Sequence, residues 1–95
     1  MLAVVAGVTR GQLTAGTRKE PEDGDLDLKP GEYGLHPSDG NWYASTPNGL
    51  LGSLVGHEVV ENEDQTITVD PSILVTKRNG LRWHGYLERG IWREC

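Results

Sequence analysis

Residues 57–70, HEVVENEDQTITVD, form the longest stretch of this 95-residue chain that contains neither Gly nor Pro. An average helix needs about 11–12 residues, so only this stretch has room for one. Its apolar residues do not follow a helical period, because Val59 and Val60 lie at one end while Ile67 and Val69 alternate with threonines at the other. The stretch therefore predicts two strands joined by an acidic turn.

The composition extends this interpretation to the whole chain. The 13 Gly and 5 Pro interrupt every other stretch, and each would cost about 1 or 3 kcal/mol inside a helix. Strands of about 5–6 residues fit between them. The predicted fold class is mainly β with little or no helix: one domain over residues 1–95, an antiparallel sandwich or partly open barrel of about eight short strands.

Turn signals place the individual strands. An Asp-Gly pair and the pair Asn79-Gly80 each predict a hairpin, and Asp70-Pro71 is expected to end a strand. Residues 50–56 are ambiguous between a helical turn and an irregular crossing. Outside the opening stretch, strands are expected over residues 2–9, 32–36, 41–46, 72–77, 81–88 and 91–94. Because the chain has no Phe, burial is expected to centre on Trp42, Trp83 and Trp92.

The chain has a net charge of −5, and its charged residues are unevenly distributed along the sequence. Residues 1–75 hold 4 basic and 12 acidic groups, whereas residues 76–95 hold 5 basic and 2 acidic groups. Residues 10–30 lack periodicity and are predicted to form an acidic loop. A net acidic chain is not expected to bind nucleic acid through its whole surface.

The strand 81–88 carries the first candidate site. Alternation places Leu81, Trp83, Gly85 and Leu87 on one face, which is expected to be core. The opposite face, extended by the basic and aromatic residues that follow, is a candidate surface for a ligand or a partner. It comprises Arg82, His84, Tyr86, Glu88, Arg89 and Trp92. The alternatives are a solvated sheet face and tryptophans that serve only the core.

The acidic segments form the second candidate site. An ordered row of carboxylates can occupy a basic groove in place of nucleic acid, and two segments of this chain are rich enough in acid to supply one. This candidate surface for a partner comprises Glu20, Glu22, Asp23, Asp25, Asp27, Glu61, Glu63 and Asp64.

Catalytic and metal-binding patterns are weak. The three histidines have no tight metal-ligand spacing, and Cys95 is the only cysteine. Ser53 lacks the spacing of a nucleophile elbow. We therefore expect no enzyme activity, no cofactor and no metal. A single cysteine favours a cytosolic protein, and the apolar N-terminal stretch is too short to cross a membrane. An oligomer would support the small core.

Residues 61–76 and 83–94 resemble small proteins of tailed phages and prophages through Thr-Ile-Thr-Val, Pro-Ser-Ile-Leu and Trp-His-Gly-Tyr-Leu-Glu blocks. Trp42 and residues 46–50 extend the resemblance, which covers about residues 41–95. It implies an origin in a phage or prophage. Together with the acidic composition and the lack of catalytic patterns, it favours an accessory protein that acts by binding in the cytoplasm of the bacterial host. The expected partner is a host protein complex, as for an inhibitor of a defence system. The alternatives are a nucleotide-binding or sequestering protein and a minor virion or assembly component.

Overall fold

The computed structural model describes residues 13–95, which form two β-sheets and contain no helix. The strand predicted over residues 2–9 lies outside the described residues. The nine strands are β1 (Leu13–Ala15), β2 (Thr17–Arg18), β3 (Glu32–Leu35), β4 (Trp42–Ser45), β5 (Leu51–Ser53), β6 (Glu58–Glu61), β7 (Ile67–Thr76), β8 (Arg82–Glu88) and β9 (Ile91–Glu94).

The strands divide into a five-stranded and a four-stranded sheet. The five-stranded sheet has the order β1-β9-β8-β7-β6 and is antiparallel throughout. The four-stranded sheet has the order β2-β3-β4-β5, in which only β2 and β3 run parallel. The prediction of a small, mainly β protein with short strands is confirmed.

The core draws on both sheets. Trp92, Leu87 and Ile67 of the five-stranded sheet are fully buried, and Tyr33 of the four-stranded sheet is 1% exposed. The rings of Trp83 and Trp92 meet edge to face with 5.2 Å between centroids, a preferred aromatic geometry. Burial centres on these two tryptophans, as expected, whereas Trp42 is half-buried at the margin of the core.

Two contacts join the sheets at the point where β1 leads into β2. The indole N–H of Trp92 donates to the carbonyl of Gly31 at 3.0 Å. Gly16 crosses between the sheets, and its N–H donates to the carbonyl of Gly90 at 2.8 Å. A Cβ on Gly16 would lie 2.9 Å from the indole nitrogen of Trp92. Only glycine allows the backbone to pass so close to the core.

The prediction of one acidic loop over residues 10–30 is wrong for residues 13–18, and its residues 10–12 lie outside the described residues. β1 pairs with β9, and β2 pairs with β3, so residues 13–18 form edge strands of the two sheets. Thr14 and Thr17 suit these strands, because threonine is β-branched. The later part, which holds the acidic residues, is irregular, with one isolated bridge between Glu22 and Asp25.

The prediction that Asp70-Pro71 ends a strand is also wrong. β7 continues through a cis peptide bond between these residues, and its register against β8 shifts between Val69 and Ile73. Proline has no N–H to donate, and an irregularity of this kind is one of the few places in a sheet that accept it. One strand of ten residues results where two short strands were expected.

The hairpin predictions are confirmed in their pairing. β3 pairs with β4, and β7 pairs with β8 around Asn79-Gly80. The second turn is a three-residue loop, residues 78–80, between Lys77 and Leu81. The N–H of Gly80 donates to the carbonyl of Lys77 at 3.0 Å, and Gly80 adopts a positive φ of 89°. Residues 51–53 of the ambiguous stretch form the edge strand β5.

Candidate functional site: the outer face of the five-stranded sheet

The alternation of β8 is observed as predicted from Arg82 onward. Trp83, Gly85 and Leu87 are buried, whereas the side chains between them lie on the other side of the sheet. Leu81 was expected in the core but precedes the strand and is 53% exposed. Four of the predicted site residues therefore share the side of the sheet that faces away from the core: Arg82, His84, Tyr86 and Glu88.

Neighbouring strands add residues to this side. Residues directly opposite each other across a ladder share a face, and the register pairs Leu74 with His84, Arg93 with Tyr86, Leu13 with Arg93 and Ile91 with Glu88. We call the resulting surface the outer face. It consists of Leu13, Leu74, Arg82, His84, Tyr86, Glu88, Ile91 and Arg93.

Large apolar side chains stand exposed on this outer face. Leu13 is 63% exposed, Leu74 is 57% exposed and Ile91 is 39% exposed, and they belong to three different strands. Single exposed leucines are ordinary, but several on one sheet face are typical of contact surfaces. Sequence reasoning missed these three residues, because only the strand register brings them beside the predicted site residues of β8.

Polar contacts hold the side chains of the outer face in place. The Arg93 guanidinium stacks over the ring of Tyr86 at 4.5 Å from its centroid, and its Nη2 lies 3.5 Å from Oε1 of Glu88. The hydroxyl of Ser72 lies 3.1 Å from Nε2 of His84. A partner would therefore meet a surface whose tyrosine and arginine are already oriented, which lowers the entropy cost of binding.

Trp92 does not belong to the outer face. It lies opposite Leu87 in the register, on the core side, and is 0% exposed. The prediction that Trp92 contacts a ligand is wrong, because a chain without Phe needs this indole in its core. The alternative interpretation, a tryptophan that serves the core, holds.

Arg89 lies in the turn between β8 and β9, and its side chain contacts the acidic turn between β6 and β7 rather than the other predicted site residues of β8. Arg89 and Gly90 have φ angles of 47° and 77° and close the tight β8–β9 hairpin. The guanidinium of Arg89 lies 3.4 Å from a carboxylate oxygen of Glu63 and 3.8 Å from one of Asp64. The positive charge of Arg89 is thus paired with two carboxylates of the second candidate site.

The two predicted acidic segments meet at Arg18. Its Nε lies 3.3 Å from Glu20, its Nη1 lies 2.9 Å from Glu61, and its guanidinium stands 5.0 Å from the centroid of the Trp42 ring. Arg18 sits in the four-stranded sheet and Glu61 in the five-stranded one. These carboxylates therefore help to join the sheets, and they are less free for a basic partner.

Asp64 is held ionised by its own turn. The hydroxyl of Thr66 donates to Asp64 Oδ1 at 2.5 Å and the N–H of Thr66 at 3.1 Å. These bonds, with the charge of Arg89, hold the pKa of the Asp64 carboxyl below its ordinary value. The Asp64 carboxyl thus keeps its negative charge to a lower pH than an ordinary aspartate does.

The other predicted acidic residues lie apart from the outer face. Glu22, Asp23, Asp25 and Asp27 line a groove of about 360 Å³ together with Lys19. A tight turn shapes the groove, because Glu22 and Asp25 exchange backbone hydrogen bonds of 2.8 and 2.9 Å. Within residues 13–95, no three His, Cys, Asp or Glu side chains are grouped so that they could hold a metal ion.

A groove of about 500 Å³ adjoins the outer face beyond the end of β9. It is lined by Arg82, Trp83, His84, Glu94 and Cys95. The N–H of Cys95 donates to the carbonyl of His84 at 2.9 Å and fixes this border. The groove joins a guanidinium, an imidazole and a carboxylate, which suits a polar group better than a polyphosphate because Glu94 repels negative charge.

The only imidazole atom buried without a partner among the described residues is Nδ1 of His57. The Nε2 of His57 lies 3.0 Å from the carbonyl oxygen of Ser72. A neighbouring groove of about 350 Å³ is lined by Trp42 and Leu54 among others. His57 also lines this groove, but its Nδ1 has almost no exposed surface, so a molecule in the groove cannot reach that atom without rearrangement.

Comparison with family models, with curated proteins and with solved structures finds no match to this chain. The molecule is therefore defined by its own architecture: two β-sheets around one core, with the outer face of the larger sheet uncovered by any other part of residues 13–95. In the same range, no helix combines the length and the apolar character that crossing a bilayer requires.

Proposed function

We propose that this chain is a phage or prophage accessory protein that acts by binding a host protein complex through its outer face. The observation that carries the proposal is the exposure of Leu13, Leu74 and Ile91 beside the oriented pair Tyr86 and Arg93. The phage resemblance supports the origin, and it favours a site of action in the cytoplasm of the host and a role such as inhibition of a defence system.

The composition of the outer face supports a protein partner. Interfaces are enriched in Tyr and Arg, and their centres are apolar. Here Tyr86 lies beneath Arg93 in the middle of the sheet, while leucines stand on strands to either side. Burying these side chains against a partner would remove apolar surface from water, at roughly 25 cal/mol per Å².

Leu74 supplies the first prediction. Leu74→Glu places a charge within the proposed interface and is expected to weaken partner binding at least about tenfold, because a buried unpaired charge is costly. The purified chain is first used to capture partners from host lysate, and the captured protein is identified by mass spectrometry. Calorimetry then gives the affinity of each variant for the purified partner.

Val55 provides the control. It is 64% exposed, close to the 57% of Leu74, but it lies in the turn after β5 of the four-stranded sheet. Val55→Glu should bind the partner as the native chain does. Equal losses in the two variants, or unchanged binding by Leu74→Glu, would contradict the role of the outer face.

Binding of a small nucleotide is the second candidate. The groove at Arg82 and His84, at about 500 Å³, lies within the usual range for small-ligand sites. Thermal unfolding with a panel of nucleotides separates the two candidates, since a ligand at 100 times its dissociation constant adds about 2.7 kcal/mol of stability. A shift that Arg82→Ala abolishes would favour the nucleotide.

A further inference from the structure

The arginines of residues 13–95 fall into two groups according to their partners. Arg18, Arg89 and Arg93 each have a carboxylate within 4.0 Å. Among the ion pairs of the described residues, none involves Arg78 or Arg82. Positive charge with no carboxylate within 4.0 Å is thus left at the β7–β8 hairpin, in a chain whose net charge is −5.

Lysines reinforce this distribution. Lys77, in the same hairpin, has no carboxylate within 4.0 Å either, and its ammonium donates to the carbonyl of Leu51 at 2.8 Å. Lys19 and Lys29 form none of these ion pairs either, but Lys19 lines the acidic groove and Lys29 lies just beyond the acidic segment 20–27. We call Lys77, Arg78, Leu81 and Arg82 the cationic tip.

Hydrogen bonds close the turn that carries the cationic tip. The N–H of Lys77 donates to the carbonyl of Leu81 at 2.8 Å, and the N–H of Leu81 donates to the Asn79 side chain at 3.1 Å. Arg82 begins β8 opposite Thr76. The charges are therefore carried by a closed turn rather than by a loose loop, so a partner need not order the backbone in order to bind.

Apolar surface accompanies the cations. Leu81 is 53% exposed within the tip, and Leu74, at 57%, lies beside His84 on the adjoining outer face. Arginines next to exposed leucines match a partner that combines carboxylates with apolar side chains. We propose that the cationic tip and the adjoining part of the outer face bind an acidic polypeptide segment that also carries apolar residues.

A nucleic acid fits this surface less well. Glu94 lines the groove at Arg82, and Glu88 lies on the same strand. These carboxylates would repel a continuous row of phosphates, whereas the spaced carboxylates of a peptide can avoid them. The inference rests on the proposed binding function and specifies the chemistry of the partner.

The experiment measures fluorescence anisotropy with three labelled probes. They are a peptide in which glutamates alternate with leucines, the same peptide with glutamine for every glutamate, and a short single-stranded DNA. The acidic peptide is expected to bind most tightly, and its affinity is expected to fall as salt is raised. Equal binding of the glutamine peptide, tighter binding of DNA or no binding of the acidic peptide would overturn the proposal.

Two charge-reversal variants locate the site. Arg78→Glu with Arg82→Glu should weaken binding of the acidic peptide at least about tenfold. Lys19→Glu with Lys29→Glu makes the same change in formal charge away from the tip and should have a much smaller effect. Equal losses would indicate a net-charge effect and overturn the assignment. If Leu74→Glu disrupts binding of the host partner and the Arg78→Glu, Arg82→Glu variant does not, the proposed function stands and the assignment of the cationic tip is overturned.

Discussion

Asp39 shows how one side chain is tuned by its own turn. Tyr43 donates its hydroxyl to Asp39 Oδ2 at 2.6 Å, and the N–H of Asn41 donates to Oδ1 at 3.0 Å. These bonds, led by that of Tyr43, hold the pKa of the exposed Asp39 carboxyl below its ordinary value. The same bond raises the pKa of the Tyr43 phenol, because it favours the protonated phenol.

The stability that this bond adds depends on pH with a definite sign. Because the pKa of Asp39 is lower in the folded chain, the contribution is fully present above the unfolded pKa of about 3.9 and is lost as pH falls through the folded value. Tyr43→Phe removes the strongest donor, so the pKa of Asp39 should rise toward its ordinary value. A titration of carboxyl chemical shifts by NMR measures it. Asp64 should keep its low pKa in this variant, and an unchanged Asp39 pKa would contradict the assignment.

At the scale of the element, Gly90 shows why the β8–β9 hairpin needs glycine. Gly90 is buried with φ +77°, and a Cβ there would lie 2.9 Å from both the Tyr33 hydroxyl and a methyl group of Thr66. Gly40 has a similar φ of +70°, but a Cβ there would meet nothing within 4 Å. The two positions share the backbone strain and differ in packing.

Alanine at these two positions separates strain from overpacking. Both Gly90→Ala and Gly40→Ala should lose about 1–2 kcal/mol to the left-handed backbone, and Gly90→Ala should lose about 1–3 kcal/mol more because its methyl group overpacks the core. Urea unfolding measures the free energy of each variant. Equal losses would mean that the core around Tyr33 yields to the added methyl group.

The elements also show how far sequence patterns reach. The alternation from Trp83 to Leu87 predicted the buried face of β8 correctly, since a strand turns successive side chains to opposite sides. Pro71 led to the wrong prediction of a strand end. Proline lacks an N–H to donate to a regular ladder, but it is accepted where the ladder is irregular, as it is here. Leu13 carried no signal at all, since its place on the outer face depends on pairing with β9, far along the chain.

At the scale of the molecule, the two sheets share a single core. Trp92 and Leu87 pack in one cluster with Tyr33 and Leu54, and the Trp92 indole bonds to Gly31 at 3.0 Å. Neither sheet can keep its buried face without the other. The sheets should therefore unfold together.

Equilibrium unfolding in urea tests this coupling. Tryptophan fluorescence reports on the packing of Trp42, Trp83 and Trp92, while far-ultraviolet circular dichroism reports on the strands of both sheets. The two signals should give coincident transitions with one midpoint, as expected for a two-state domain. Two separated transitions would show that one sheet persists without the other.

The candidate site could be predicted only in part from the sequence. The strand content, the two faces of β8 and the uneven charge follow from residues close together in the chain. Which charges remain unpaired depends on long-range contacts: Arg18 meets Glu61 across 43 positions of sequence, and Arg89 meets Glu63 across 26. Only folding neutralises these arginines, leaves Arg78 and Arg82 without carboxylates and gathers leucines from separate strands on one face. Local pattern specifies strands because alternation is a property of the backbone, whereas a surface is assembled by register and topology.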